Sequence, residues 1–158
     1  MKSLCYRFIP ALVALVACLT ACSQRELYSE FRTLDAAGWH ADEALDYDFE
    51  VSDTISRYSV LLYVRNRTDY PYQNIWLFVN STRPDGTHYA DTIEFYLADE
   101  RGHWLGRGIG GLKEMPVLYQ QDVRFPQTGH YSYSLRHAMR DTLLRGVSDV
   151  GLEIVAYE

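Results

Sequence analysis

The chain has 158 residues, enough for one domain with a core of its own, and carries 15 basic against 21 acidic side chains, a net charge of −6. That balance, without a basic stripe, excludes nucleic acid as a partner, because such binding rests on neutralising phosphates.

The first element is a signal peptide over residues 1–21. Lys2 and Arg7 precede an apolar run from Phe8 to Leu19, which falls short of the roughly 20 residues a helix needs to cross a bilayer. It ends in Leu19-Thr20-Ala21-Cys22, the form read by the lipoprotein signal peptidase: a branched apolar residue, two small ones, and the cysteine that receives lipid. Each buried CH₂ of an acyl chain contributes about 0.8 kcal/mol, so Cys22 is expected to be lipidated and to anchor the protein. Cys5 and Cys18 leave with the peptide, so no disulfide is expected and stability must come from the core. Lys2 and Arg7 leave too, and the more acidic remainder is expected to meet the membrane through acyl chains and not through charge.

Residues 22–44 are polar with weak periodicity and read as a tether and lead-in. Ser23 is not the aspartate that retains lipoproteins at an inner membrane, and Gln24-Arg25-Glu26 is a poor acidic export cluster. The expected location is therefore the outer membrane, facing the periplasm.

Residues 45–158 read as an all-β domain, an antiparallel β-sandwich of about eight strands with one short helix before the last strand. The expected strands are Tyr47 to Val51, Tyr58 to Arg65, Ile75 to Asn80, Thr92 to Ala98, His103 to Leu105, Val117 to Phe125, Tyr131 to Arg136 and Val150 to Ala156. Pro84-Asp85-Gly86, Asp99 to Gly102 and Pro126 to Gly129 supply the turns. Tyr58 to Ser81 reads as a hairpin core, with Tyr58, Val60, Leu62 and Val64 on one face and Trp76 and Phe78 filling the space between sheets. Leu135, Met139 and Leu143 recur at i+4 with Gly146 as C-cap, which predicts the helix.

Chemistry-bearing motifs are sparse. Gly106 to Lys113 is glycine-rich, but Leu112 and Pro116 stand where a phosphate loop needs Gly-Lys-Ser/Thr opening a helix, so a glycine-rich connection is expected. His40, His88, His103, His130 and His137 share no ligand spacing and are expected at surface or edge positions. Asp42, Glu43, Asp46 and Asp48 lack the glycine and glutamate of a calcium loop and read as a solvated face. No nucleophile elbow is present, and Cys22 is blocked by lipid. The sequence thus assigns no catalytic residue, no metal, no cofactor and no small-molecule substrate. Tyr70, Tyr72, Trp39 and Trp104 sit beside turns, where rings can be displayed to a sugar or a protein, and the same position equally allows Tyr72 to pin its loop to the core.

LTAC at 19–22, WHADEALDYDFEVSD at 39–53, YSVLLYVRNRTDYPYQNIWLFV at 58–79, LADERGHWLGRGIG at 97–110 and HAMRDTLLRGVSDVGLEI at 137–154 together resemble the GldH family of Bacteroidetes gliding-motility lipoproteins. The resemblance implies a non-enzymatic, outer-membrane-associated lipoprotein, an accessory of the gliding machinery and of type IX secretion, with other proteins of that apparatus as partners. The loops Arg67 to Gln73 and Trp104 to Gly111 are then the expected contact surface, with Tyr70, Pro71, Tyr72, Trp104 and Arg107 as its candidate residues. The alternative reading is an envelope glycan- or peptidoglycan-binding module that presents aromatic platforms.

Overall fold

A computed structural model describes residues 26–157. The signal peptide and Cys22 lie outside the described residues. The described chain is all-β and antiparallel. In order the strands are β1 (Glu26–Thr33), β2 (Trp39–His40), β3 (Leu45–Val51), β4 (Tyr58–Arg67), β5 (Asn74–Thr82), β6 (His88–Tyr96), β7 (Leu112–Val123), β8 (Gly129–His137), β9 (Leu143–Leu144) and β10 (Val147–Ala156). They form one four-stranded sheet of order β1-β10-β4-β7, a second of order β3-β8-β5-β6, and a small β2-β9 pair.

Period-two alternation builds both sheets. Tyr58, Val60, Leu62 and Val64 of β4 share one face, as their spacing requires, and that face is buried, as is the face of β3 with Leu45, Tyr47, Phe49 and Val51, with Asp46, Asp48 and Glu50 pointing outward. The two buried faces share one core. The Tyr47 hydroxyl of the second sheet donates to the Val150 carbonyl of the first at 2.8 Å, and Phe125 packs on Phe49, Tyr58 and Tyr131 at 5.0–5.6 Å between ring centroids.

Several expectations need correction. The segment Tyr58 to Ser81 is not a hairpin: β4 pairs with β10 and β7, β5 with β6 and β8, and residues 68–73 carry the chain from one sheet to the other. Strands rich in apolar residues gain as much by facing each other across a core as by hydrogen bonding side by side, so the pattern alone fits either. The sequential hairpin is β5–β6, closed by the expected turn: Arg83 N–H donates to the Thr87 carbonyl at 3.0 Å, and Gly86 takes φ +80°.

Trp76 and Phe78 do not fill the space between sheets. Ile75, Leu77 and Val79 do, and the two aromatic rings lie on the outer face, 38 % and 40 % exposed. Among the described residues there is no helix. Leu135 lies within β8 and Leu143 within β9, and the backbone between these strands is held by Ala138 N–H on the Trp76 carbonyl at 2.7 Å and Ala41 N–H on the Thr142 carbonyl at 2.8 Å. Tertiary partners have taken the groups a helix would have used. The expected strand His103 to Leu105 reduces to an isolated bridge between Ala98 and Trp104.

Residues 26–33, within the stretch read as tether and lead-in, form the edge strand β1. Their alternation is blurred because this edge packs on both sides: Tyr28 lies 5.2 Å from Phe49 on one face, and on the other Phe31 covers Gly151, with Tyr63 at 5.4 Å and the Arg65 guanidinium 4.1 Å from its ring centroid. A Cβ at position 151 would come within 2.6 Å of the Phe31 ring, so the missing side chain is what seats it.

Candidate functional site

All four connections 34–44, 68–73, 97–111 and 138–146 gather at one end of the two sheets, where β1, β4, β6 and β8 finish and β3, β5, β7 and β10 begin. This end holds the residues that the sequence singles out, but it sorts them differently.

Tyr70 is not displayed. It is 4 % exposed, its hydroxyl donates to the Asn74 carbonyl at 2.9 Å, and burial raises its pKa. Its ring is the pedestal of the loop, edge-on to Tyr72 at 5.8 Å and tilted against Trp104 at 6.5 Å. Pro71 and Tyr72 are exposed above it. The Tyr72 hydroxyl donates to Asp141 at 2.6 Å, a bond that raises its own pKa and ties this loop to the one after β8. Trp104 is half-buried, and Arg107 is exposed while its backbone pairs in both directions with Glu114, at 2.8 and 2.9 Å.

The glycine-rich stretch has a structural reason. A Cβ at Gly106 would lie 2.7 Å from the Glu114 carbonyl oxygen, and one at Gly108 2.3 Å from that of Leu112, so these positions let two backbone segments lie against each other. The loop they close carries Ile109 at its tip, 98 % exposed.

The sequence reading missed a cleft of about 350 Å³ beside Tyr72, lined by Asn74, Trp76, Ala138, Met139 and Arg140. Its floor is fixed by Trp76 N–H on the Met139 sulfur at 3.3 Å, and the Asn74 side chain donates to Glu94 at 2.5 Å. The available signal was polar Asn74 and Asn80 in register with Trp76 and Phe78, which marks that face as the outer one.

Trp39, read as a display residue, is fully buried; its indole N–H donates to the Glu43 carbonyl at 3.0 Å. His137 is also buried, against the expectation of a surface position, while His40, His88, His103 and His130 are exposed. The His137 ring packs edge-on to Trp39 at 5.3 Å, its Nε2–H donates to the Trp39 carbonyl at 3.1 Å, and its Nδ1 has no partner.

Burial lowers the His137 pKa below the ordinary histidine value, outweighing its hydrogen bond and the nearby Asp141. The unfolded chain therefore binds the proton first, so stability is full above about pH 6.5 and falls as pH drops from there through the folded pKa. In urea unfolding across that window, His137→Leu should flatten the slope.

Among the described residues no group of three or more His, Cys, Asp or Glu is arranged to hold a metal ion, and no helix is long and apolar enough to cross a membrane. Fold and site together define a small all-β module whose distinctive surface is a loop end that carries Tyr72 and Trp104 among acidic and basic side chains. The GldH lipoprotein family profile matches residues 26–154, and the chain belongs to that family. It is 30 % identical to the gliding motility lipoprotein GldH homolog of Christiangramia forsetii, over 85 % of this chain and 86 % of that one. It is 29 % identical to gliding motility lipoprotein GldH of Flavobacterium johnsoniae, over 86 % and 88 %. Among solved structures, a carbohydrate-binding module specific for non-crystalline cellulose overlays at TM-score 0.45 and 11 % identity, over 82 % of this chain and 73 % of that one, a likeness too loose to carry an argument.

Proposed function

We propose that this chain is a non-enzymatic lipoprotein, anchored through Cys22 at the outer membrane and facing the periplasm, that serves gliding motility and type IX secretion as an accessory component. The observation that carries the reading is family membership across residues 26–154, joined to the Leu19-Thr20-Ala21-Cys22 motif just upstream. The contact surface is the loop end, formed by Pro71, Tyr72, Trp104 and Arg107 of the five sequence candidates, with buried Tyr70 beneath them and Trp76 and Arg140 of the neighbouring cleft added. Tyr and Trp rings and Arg forks are the side chains that anchor interfaces.

Deleting the gene and measuring type IX cargo at the cell surface tests the role. Wild type should restore delivery and Cys22→Ala should not; undiminished delivery in the deletion strain would refute it. For the surface, the triple variant Tyr72→Ala, Trp104→Ala, Arg107→Ala should weaken recovery of partner proteins by at least about tenfold. Its unfolding should remain cooperative, because Tyr72 and Arg107 are exposed and Trp104 only half-buried.

One observation favours a second reading, an envelope glycan-binding module. Trp76 and Phe78 lie side by side on an open sheet face, with Asn80, Thr92 and Ser134 beside them in register. Saturable binding to peptidoglycan or capsular polysaccharide that Trp76→Ala abolishes would establish it. Absence of such binding removes it.

A further inference from the structure

Lipidation of Cys22 gives the position of the domain on its membrane as well as its attachment. The described part of β1 starts at Glu26, four Cα steps after Cys22, and four such steps span at most about 14 Å in any conformation. Glu26 opposes Val155 at the end of β10, one residue from the row in which Ala156 opposes Tyr58 and Tyr58 opposes Val123. The loop 52–57, the turn 83–87 and the loop 124–128 leave the sheets at this end as well. The loop end with Tyr72, Trp104 and Ile109 lies one strand length away, about 30 Å for strands of this size.

The anchored end carries a side chain with no partner in the fold. Ile55 is 81 % exposed at the tip of the 52–57 loop and is held there: its N–H and that of Ser56 both donate to Asp53 Oδ1, at 2.8 and 3.0 Å, and the Ser56 hydroxyl donates to Oδ2 at 2.6 Å. Tyr157, 40 % exposed, runs beside this loop through its N–H on the Arg57 carbonyl at 2.8 Å. The Arg57 guanidinium is engaged by Asp122 and Arg83 lies over the Tyr89 ring at 4.5 Å, while Arg124 is exposed on the 124–128 loop, so this end offers an apolar tip, an aromatic ring and a cationic side chain that anionic headgroups attract. An aliphatic tip beside a tyrosine is what partitions into the interface of a bilayer.

We propose that the end bearing Ile55 and Tyr157 seats on the lipid surface, with the strands upright and the Tyr72–Trp104–Ile109 end held away from the membrane for partner contact. The inference rests on lipidation of Cys22. The alternative pose, flat on the β1 edge, would press Ser29, Glu30 and Thr33 along the strand against lipid, whereas the upright pose presents an apolar tip.

Exposure alone would choose Ile109, which is more exposed than Ile55; the tether chooses Ile55. That conflict makes the test sharp. With Cys22 blocked by lipid, Ile55→Cys and Ile109→Cys each supply the single reactive thiol of the processed chain. Full-length protein purified from membranes, labelled with bimane at one site and reconstituted into phosphatidylethanolamine–phosphatidylglycerol vesicles containing doxyl-labelled lipid, reports depth by quenching. Quenching at position 55 should exceed that at 109 at least threefold. Equal quenching, or more at 109, overturns the upright pose. A parent protein that takes up bimane and fails to float with vesicles overturns the anchoring itself, and the inference with it.

Discussion

Gly146→Ala should destabilise the protein by about 3 kcal/mol, whereas Gly86→Ala should cost about 1 kcal/mol, although both glycines have nearly the same positive φ, +86° and +80°. The difference lies in what stands beside them. A Cβ at Gly146 would come within 2.7 Å of the Tyr70 Cα and 3.0 Å of its amide nitrogen, whereas one at Gly86 meets nothing within 4 Å. Backbone atoms do not swing aside as side-chain ends do. The Tyr70 backbone is also fixed, by its N–H on the Arg67 carbonyl at 3.1 Å, while the Gly146 carbonyl accepts from Arg67 N–H at 2.7 Å. Alanine there would have to part the loop 68–73 from the β9–β10 turn. Urea unfolding of the two variants separates the terms: both carry the left-handed penalty, and only Gly146→Ala carries the clash. Equal losses would show that the close approach at Tyr70 is unimportant. Because this contact holds Tyr70 under Tyr72 and Trp104, Gly146→Ala should also weaken partner recovery at a temperature where the protein is still folded.

Trp39→Ala should cost about 3–5 kcal/mol and lower the thermal midpoint by roughly 10 °C or more. Trp39 has no exposed surface, and removing the indole leaves a cavity against His137 and a Glu43 carbonyl without its donor. Trp39→Phe should recover part of the loss, keeping a ring against His137 while still forfeiting the hydrogen bond, for a residual cost of about 1–2 kcal/mol. The order wild type, phenylalanine, alanine in unfolding midpoints is the check. A displayed ring would give near-neutral values for both. Trp39 and His137 also join the short β2–β9 pair to the end of β8, so the His137 pH slope should change in Trp39→Ala as water reaches the imidazole.

The sequence by itself determined which residues share a face and where the chain turns. Tyr58, Val60, Leu62 and Val64 alternate into the core as read, and Pro84-Asp85-Gly86 and Asp99 to Gly102 turn where their side chains can satisfy the backbone. These are local matters of a two-residue period and of Asp and Gly chemistry. The Leu19 to Cys22 motif is local in the same sense, a short word that needs no fold to be legible. Tertiary structure decided which sheet each strand joins and which of its two faces turns inward. Alternation is symmetric: it separates Trp76 and Phe78 from Ile75, Leu77 and Val79 without saying which set is buried, and the strands that cover Ile75 and Leu77 come from distant parts of the chain. The same holds for Tyr70 and Trp39, whose turn-side positions suggest display until other segments close over them. Gly146 reads as a helix cap from its neighbours in sequence, but the residue that needs it to be glycine is Tyr70, brought against it only when the two loops meet at one end of the sheets.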